Sequence, residues 1–485
     1  MQTKQLVGGL IAIGLPLAGV WMMMQPPGGS GPAAPAANTL APAAKPTAAG
    51  ATAPGANKTA APAVAKPGEA QAGNTQTGKT KPSAILTAPV PVPKPHGKAE
   101  KSPVSAATNA VGEEYALFFT ANGLAETDDC GCKARPLGGV ARRAKWIADR
   151  VKEKRFKAWI AADGGGLMTK DPPDAIPPAA ELKSLAAAMF KSFLKMRYVA
   201  MNVGIQDLAM GHAELKAAAA EHKFPLVSAN IVDSAGKPVF EPHVVVPLGK
   251  IKVGFFGLLA AKPGRDELVS GKGLKILPPV EAAAAQVKAL RAKGCQLIVA
   301  LAQLTDDEKD AIGEQVSGVD LVLGSLKQDL THTRPESMGR GFFADPYHKG
   351  KWLGEFIIRP GADQSRWYAV GLADKLRTDQ VSLERQIAYY VKEFRDEDAR
   401  KAKGEPAKMT DRERKFTEER FAGVRAKLAR VKLELQDPLD VPKGGSTLQM
   451  NMVPMRADEL AEDPAVLKII DEHKKVYPPP PKPGR

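Results

Sequence analysis

An α/β layered fold is predicted for the middle of the chain, on two observations. Between Glu113 and Asp374, short apolar runs alternate with amphipathic stretches of helical period. The first of those runs, Tyr115–Thr120, is followed by the loop Glu126–Arg143, which feeds a helix beginning near Gly139 and lies where open α/β sheets place their ligands. Strands alternating with helices bury one face of each helix against a sheet, which gives a layered architecture.

The elements follow in order. Tyr115–Thr120, Ala158–Ala162, Tyr198–Val203, Pro225–Ile231, Lys252–Leu258, Gln296–Leu301 and Leu321–Gly324 read as apolar strands. Between them, Val140–Lys152, Pro178–Lys195, Ala213–His222, Pro279–Lys293 and Thr305–Gln315 read as helices. Arg340–Ala344, Lys351–Ile358 and Ser365–Leu372 read as antiparallel and hairpin-like, so the sheet is mixed. Two helices are expected within Val381–Leu435. Leu383, Ile387, Tyr390 and Phe394 form the seam of the first, and Phe421, Val424, Leu428, Val431 and Leu435 that of the second. Gly404 and Pro406 break them, and Thr410 with Glu413 supplies a capping box. Thr447–Met455 alternates like a strand, Asp463–Val476 reads as a capped helix, and the end is Pro-rich.

The chain begins differently. Leu6–Met24 is apolar throughout and, as a helix, would span roughly 30 Å, enough to cross a bilayer core. It is expected to be an uncleaved signal anchor in the inner membrane, with Lys4 on the cytoplasmic side and the bulk of the chain in the periplasm or outside. Secretion after signal cleavage is the alternative. From 26 to 112 the chain is rich in Ala, Pro, Thr, Gly and Lys, too poor in large apolar residues to offset ordering entropy, so a disordered linker is expected. The expected domains are therefore 1–25, anchor; 26–112, linker; 113–375, the α/β domain; and 376–485, a helical extension with a Pro-rich tail.

Composition excludes several classes. The net charge of +15 is spread over the linker and the helical tail, without the interleaved aromatics of single-stranded nucleic-acid sites, so no nucleic acid is expected. Three cysteines in 485 residues exclude a disulfide-dense scaffold. No Cys-x-x-Cys-His occurs, so no covalently attached haem is expected.

Within the α/β region the motifs Gly138-Gly139-Val140-Ala141-Arg142-Arg143 and Trp159-Ile160-Ala161-Ala162-Asp163-Gly164-Gly165-Gly166 stand in order. They are followed by Tyr198–Gly204, Phe224-Pro225-Leu226-Val227-Ser228-Ala229-Asn230-Ile231, Ile251–Leu258 and Gly318–Gly324. This series resembles the 5′-nucleotidase-like branch of the calcineurin-like metallophosphoesterases, over about Ala116 to Leu372. The resemblance implies a four-layer α-β-β-α sandwich with a two-metal site at the strand ends, here preceded by the linker and followed by a helical hairpin. It places the family's ligand positions on Asn122 and Leu124, Gly166, Ile205 and Gln206, Gln303, and Leu326 and Gln328, while the acidic residue after the Gly-Asn-His turn survives as Asp207.

None of those eight positions keeps the family's ligand. Paired divalent cations need carboxylates or imidazoles to offset their repulsion, and neutral amides do not supply that. No bound metal is expected, unless the chain is an active hydrolase using Mn or Zn. Of the seven histidines, only His332, beside Asp329, lies near a motif position.

Some members of this branch carry a similar Cys-Gly-Cys in the first loop. Three readings of Cys130 and Cys132 stand side by side: a strained, oxidising disulfide, a soft-ion site, or a bridge that pins the loop against Gly138-Gly139. Arg142 and Arg143 could grip an anion or lower a thiolate pKa; otherwise one faces solvent and the other pairs with Asp128 or Asp129. Cys295 reads as a buried apolar residue. The expected function is a membrane-anchored pseudo-phosphoesterase serving as a binding or scaffold module, with contacts to a protein partner or a second copy through 381–435. The alternatives are an active metal-dependent 5′-nucleotidase or phosphomonoester hydrolase, and a thiol-redox module using Cys130 and Cys132.

Overall fold

The computed structural model describes residues 113–479, apart from 131–134, 154–155, 171–175, 263, 265 and 332–333. The expected signal anchor and linker, and the tail from 480, lie outside the described residues.

In chain order the first half comprises β1 (Tyr115–Thr120), α1 (Val140–Lys152), β2 (Ala158–Asp163), α2 (Ala179–Lys195), β3 (Tyr198–Asn202), α3 (His212–His222), β4 (Leu226–Val227), β5 (Ile231–Asp233), β6 (His243–Leu248) and β7 (Ile251–Leu259). Then come α4 (Asp266–Val269), β8 (Leu274–Ile276), α5 (Pro279–Ala292), β9 (Leu297–Gln303), α6 (Asp306–Gln315), β10 (Leu321–Leu323), β11 (Glu336–Met338) and β12 (Gly341–Ala344). The last part is β13 (Trp352–Arg359), β14 (Asp363–Ala369), α7 (Leu372–Ala402), α8 (Asp411–Glu434), β15 (Gly445–Pro454) and α9 (Pro464–Val476).

Two sheets carry the fold. One has the order β14-β15-β13-β1-β2-β3-β4, the other β11-β12-β10-β9-β7-β6, and β5 pairs with β8 apart from them. Side chains alternate across a strand, and β1 shows what that does here. Leu117 and Phe119 pack between the sheets with Ile160, Val253, Phe255, Leu297 and Val299. Ala116 and Phe118 face the other way, onto the layer formed by α1, α2, α3 and α9. The second sheet is covered by α5 and α6, where Ala283, Val287, Leu290 and Ile312 meet Phe256, Ile298 and Val322. Helices outside two packed sheets make the four-layer α-β-β-α sandwich. α6 starts on a capping box of Thr305 and Glu308, and α8 on the expected one of Thr410 and Glu413.

Four expectations change. The run Pro225–Ile231 is not one strand: it divides into β4 and β5, which lie in different sheets. Asn230 makes the division, because its amide leaves the run to bond Leu259 at 3.0 and 2.6 Å and the Leu277 carbonyl at 3.0 Å. The hairpin expected from Lys351–Ile358 and Ser365–Leu372 does not form, since β15 enters between them, antiparallel to β13 and parallel to β14. The first hairpin helix starts at Leu372 rather than near Val381 and runs 31 residues. Most consequentially, 376–485 is not an extension. β15 is an interior strand, α9 packs on α1 and α2, and the described residues belong to one compact unit. Glu355, buried and paired with Arg150 at 2.8 Å, also accepts a 2.7 Å bond from Asn451 of β15, and that bond crosses the boundary that the sequence suggested.

Candidate functional site

The carboxyl ends of β1, β2, β3, β9 and β10 meet in one place. β1 runs parallel to β2 and β2 to β3, while β7, β9 and β10 run parallel in the facing sheet. Glycines let the loops approach one another there. Gly165 and Gly166 have φ of 89° and 81°, a region L-residues avoid. Asn122, also left-handed at φ 51°, is anchored by its N–H on the Gly165 carbonyl at 2.7 Å.

Three amide side chains converge on Gly166. Gln303 Nε2 donates to Asn122 Oδ1 at 2.7 Å and to Gln206 Oε1 at 2.9 Å. Its own Oε1 accepts from the Ile205 N–H at 2.9 Å, and Asn122 Nδ2 donates to the Ser325 carbonyl at 2.9 Å. These bonds fix the orientation of every amide, because reversing one would set two donors or two acceptors face to face. Asn122, Gln206 and Gln303 are all buried. A Cβ on Gly166 would lie 2.3 Å from Gln303 Nε2 and 3.0 Å from both Asn122 Oδ1 and Gln206 Oε1. The space that a side chain at 166 would need is therefore filled by the Gln303 amide. Gln206 Nε2 is the one amide end of the three with no acceptor among the described residues.

Carboxylates surround the cluster but are turned to other tasks. Asp207 accepts from the N–H groups of Gly166, Leu167 and Gly204 at 2.7–2.8 Å and of Met168 at 3.2 Å, which ties the β2 and β3 loops together. Burial pushes its carboxyl up to about 6, against those N–H donors. Asp163 takes Thr120 Oγ1 at 2.5 Å and the Gly165 N–H at 2.8 Å, and burial raises its pKa. Thr120 also meets Tyr198 Oη at 2.8 Å. Asp345 accepts from Ser325 Oγ and from the Tyr347 N–H, and burial pushes it up to about 8. Ser325 thus links Asp345 to Asn122.

The other expected site residues fall outside the convergence. Leu124 and Ile205 are buried apolar side chains that contribute backbone bonds, Leu124 N–H to the Gly166 carbonyl at 2.9 Å. Leu326 and Gln328 are half-buried beyond β10, and Leu326 is held by its N–H on the Leu304 carbonyl. Arg142 is fully engaged as a strap for the C-terminal segment, donating to the Gly138 and Leu460 carbonyls and pairing with Glu462 at 2.9 Å. Arg143 does not face solvent and pairs with neither Asp128 nor Asp129. It is buried over the Phe193 ring, with Nη1 3.5 Å from Tyr198 Oη; Asp128 pairs with Lys474 instead, at 2.6 Å. Cys130 accepts from the Leu137 N–H at 3.4 Å, whereas Cys132 and His332 lie outside the described residues. Asp329 pairs with Lys327 at 2.9 Å. Cys295 is buried, as expected.

Sequence reasoning passed over Ser325, Asp345, Thr120 and Tyr198. Asp163 carried a signal, as the polar end of an otherwise apolar strand, and the other four carried none.

The two packed sheets between helix layers have the fold of solved calcineurin-like phosphoesterases and 5′-nucleotidases. No family model matches the chain. A 2′,3′-cyclic-nucleotide 2′-phosphodiesterase/3′-nucleotidase from Yersinia enterocolitica is 26% identical over 206 residues, covering 38% of this chain and 31% of that protein. Sulfate thiohydrolase SoxB from Thermus thermophilus matches with a TM-score of 0.50 at 14% identity, over 75% of this chain and 61% of that one. A 5′-nucleotidase precursor from the same organism gives 0.49 at 18% identity, over 75% and 59%. The chain thus spans about a third of the curated relative and about three-fifths of these solved structures.

That fold implies a dinuclear metal centre at the strand ends, and the residues present do not fit one. Asn122, Gln206 and Gln303 offer neutral donors already committed to one another. Gly166 offers none, and the Asp207 oxygens are spent on four N–H groups. Among the described residues no three His, Cys, Asp or Glu side chains are grouped to hold a metal ion.

Proposed function

We propose that this chain is a pseudo-phosphoesterase: a binding or scaffold module on a nucleotidase-like fold that has exchanged its metal pair for an amide cluster. The observation that carries this reading is the occupation of the Gly166 side-chain position by Gln303, itself bonded to Asn122 and Gln206. A bridging carboxylate at 166 and the Gln303 amide exclude each other, so the cluster is an alternative packing rather than a metal site awaiting its ions. Without paired cations, neither the Lewis-acid polarisation of a phosphoryl oxygen nor the activation of water that such a centre supplies is at hand. The module is proposed to be held in the inner membrane by Leu6–Met24 and to work on the envelope side, at the end of the 26–112 linker.

The test is direct. The purified full-length chain, loaded with Mn²⁺ or Zn²⁺ and desalted, is expected to retain no stoichiometric metal by mass spectrometry. It is also expected to leave nitrophenyl phosphate and nucleoside monophosphates uncleaved. Two retained metals with turnover would refute the reading and leave the hydrolase that the curated relative's name suggests. The thiol-redox alternative calls for Cys130 and Cys132 to cycle with a mild dithiol, and permanently reduced thiols in the exported protein would end it.

A further inference from the structure

The two longest helices are the part of the molecule the sandwich uses least. α7 and α8 span 31 and 24 residues, roughly 46 and 36 Å at 1.5 Å per residue. Only their base enters the core, through Leu372, Leu376 and Val431. Beyond that base the seam has no third wall among the described residues. Ile387, Tyr390, Phe394, Phe421 and Val424 are only partly buried, although the rings pack edge-on or tilted, Tyr390–Phe421 at 5.8 Å and Phe394–Phe421 at 5.6 Å. The tip is nonetheless well made. The buried Glu397 accepts from the Lys408 N–H with both oxygens, at 3.0 and 3.1 Å, and Thr410 caps α8. This is an ordered hairpin with an open seam. Of the ten large exposed apolar side chains among the described residues, five are on these two helices, Tyr389 and Phe416 at 60% exposure among them.

Charge narrows what can cover the seam. Leu372–Leu435 holds seventeen Lys and Arg against thirteen Asp and Glu, and the acids are largely used within the molecule. Glu384 pairs with Lys432, Glu393 with Lys408, Asp398 and Glu418 with Arg414, and Glu434 with Arg430. Arg385, Lys392, Arg412, Lys415, Arg425 and Lys427 have no ion pair among the described residues. A second copy would bring this cation surplus against itself, which opposes self-association. The seam rings already carry cations, Arg414 over Phe394 and Arg425 over Phe421, and are not arranged as a row of open faces for stacking nucleic-acid bases.

We propose that α7 and α8 form a docking groove for an amphipathic helix of a partner protein, apolar along one face and acidic along its flanks, which completes a three-helix bundle. The docked helix would cover Ile387, Tyr390, Phe394, Phe421 and Val424, and its carboxylates would meet the unpaired cations. Helix-in-groove recognition of this kind reads an apolar stripe, with flanking charge setting partner choice. The proposal rests on the reading of the chain as a binding module and names the class of its partner.

The test uses the full-length chain in non-ionic detergent and two synthetic amphipathic helices of about 24 residues, the length of α8. Both carry leucine at seam positions; one is flanked by Glu, the other by Lys. The Glu-flanked peptide is expected to bind at least ~10-fold more tightly, with affinity falling several-fold from low to high salt. Reversal of three exposed cations together, Arg412→Glu, Lys415→Glu and Lys427→Glu, is expected to invert the preference while helical content stays unchanged. Binding of neither peptide, equal binding of both, a preference that survives the reversal, or a dimer through these helices that excludes the peptide would each overturn the proposal. Metal content and phosphate release are read on the same preparation. Turnover with peptide binding removes the pseudoenzyme reading and leaves this one; no turnover and no binding does the reverse.

Discussion

Gly166→Ala is the smallest perturbation that tests whether the strand-end cluster is a packed alternative to a metal site. Two costs add. An L-residue at φ 81° costs about 1–2 kcal/mol over glycine. The new Cβ also falls 2.3 Å from Gln303 Nε2, so the amide must leave and forfeit its bonds to Asn122 and Gln206. Each buried acceptor left unpaired costs about 1–3 kcal/mol. The total is about 3–8 kcal/mol, a large share of a domain's ordinary stability. Urea unfolding followed by circular dichroism reads it, and Gln303→Ala supplies the control. Removing the amide makes room for the alanine, so the double mutant should be more stable than the sum of the singles by at least ~1 kcal/mol. Gly166→Asp sets a carboxylate against two carbonyl oxygens and should be worse, with no recovery on adding Mn²⁺. Additive singles, a loss below ~1 kcal/mol for Gly166→Ala, or restabilisation of Gly166→Asp by metal would each refute the reasoning.

Further expectations concern the frame around the cluster. Asp345 is pushed up to about 8 by burial, so the folded chain keeps a proton that the unfolded chain releases near 3.8. Its contribution therefore favours folding at low pH and is lost as pH rises toward 8. Asp345→Asn should flatten the fall in stability between about pH 6 and 8, measured by denaturant midpoint, and an unchanged slope would sink the assignment. Arg150→Ala strands the buried Glu355 carboxylate and should cost about 3–5 kcal/mol by the same unfolding assay, with Glu355→Gln milder. A chain ending after Asp440 loses β15 from between β13 and β14 and α9 from its helix layer. It should lose cooperative unfolding, whereas retained cooperativity would mean that the C-terminal segment is dispensable to the sandwich. Thr410→Ala removes a capping-box partner and should lower stability by about 1 kcal/mol, read in the helical signal.

What was legible in the sequence was local. α1 is read to the residue, and Thr305 and Thr410 announce their helices through a Glu three positions on. A continuous apolar run marked β1, because both of its faces are buried, each against a different layer. Pairing was not legible, since β15 takes its place through partners some 90 residues away in the chain, such as Phe356 opposite Met450. Nothing within Gly445–Pro454 names those neighbours, and the short Asp363–Ala369 strand that follows β13 in the chain invited a hairpin. The site divides along the same line. Asn122, Gly166, Gln206 and Gln303 sit at strand ends, where position follows from the strands, and they converge. Leu326 and Gln328 lie in a loop beyond β10 whose path is set by Ser325 and Asp345, and they do not.

The convergence bears on what these strand ends can hold. A buried polar group left unpaired carries a cost. Here three amides form a chain of donors and acceptors that ends on backbone groups at Ile205 and Ser325, with one unpaired end at Gln206 Nε2. The chain needs a glycine at 166, and glycine is present. The four residues are therefore one packing solution, in which a change at any single position is opposed by the other three. The large apolar side chains left exposed lie elsewhere, half of those among the described residues on α7 and α8.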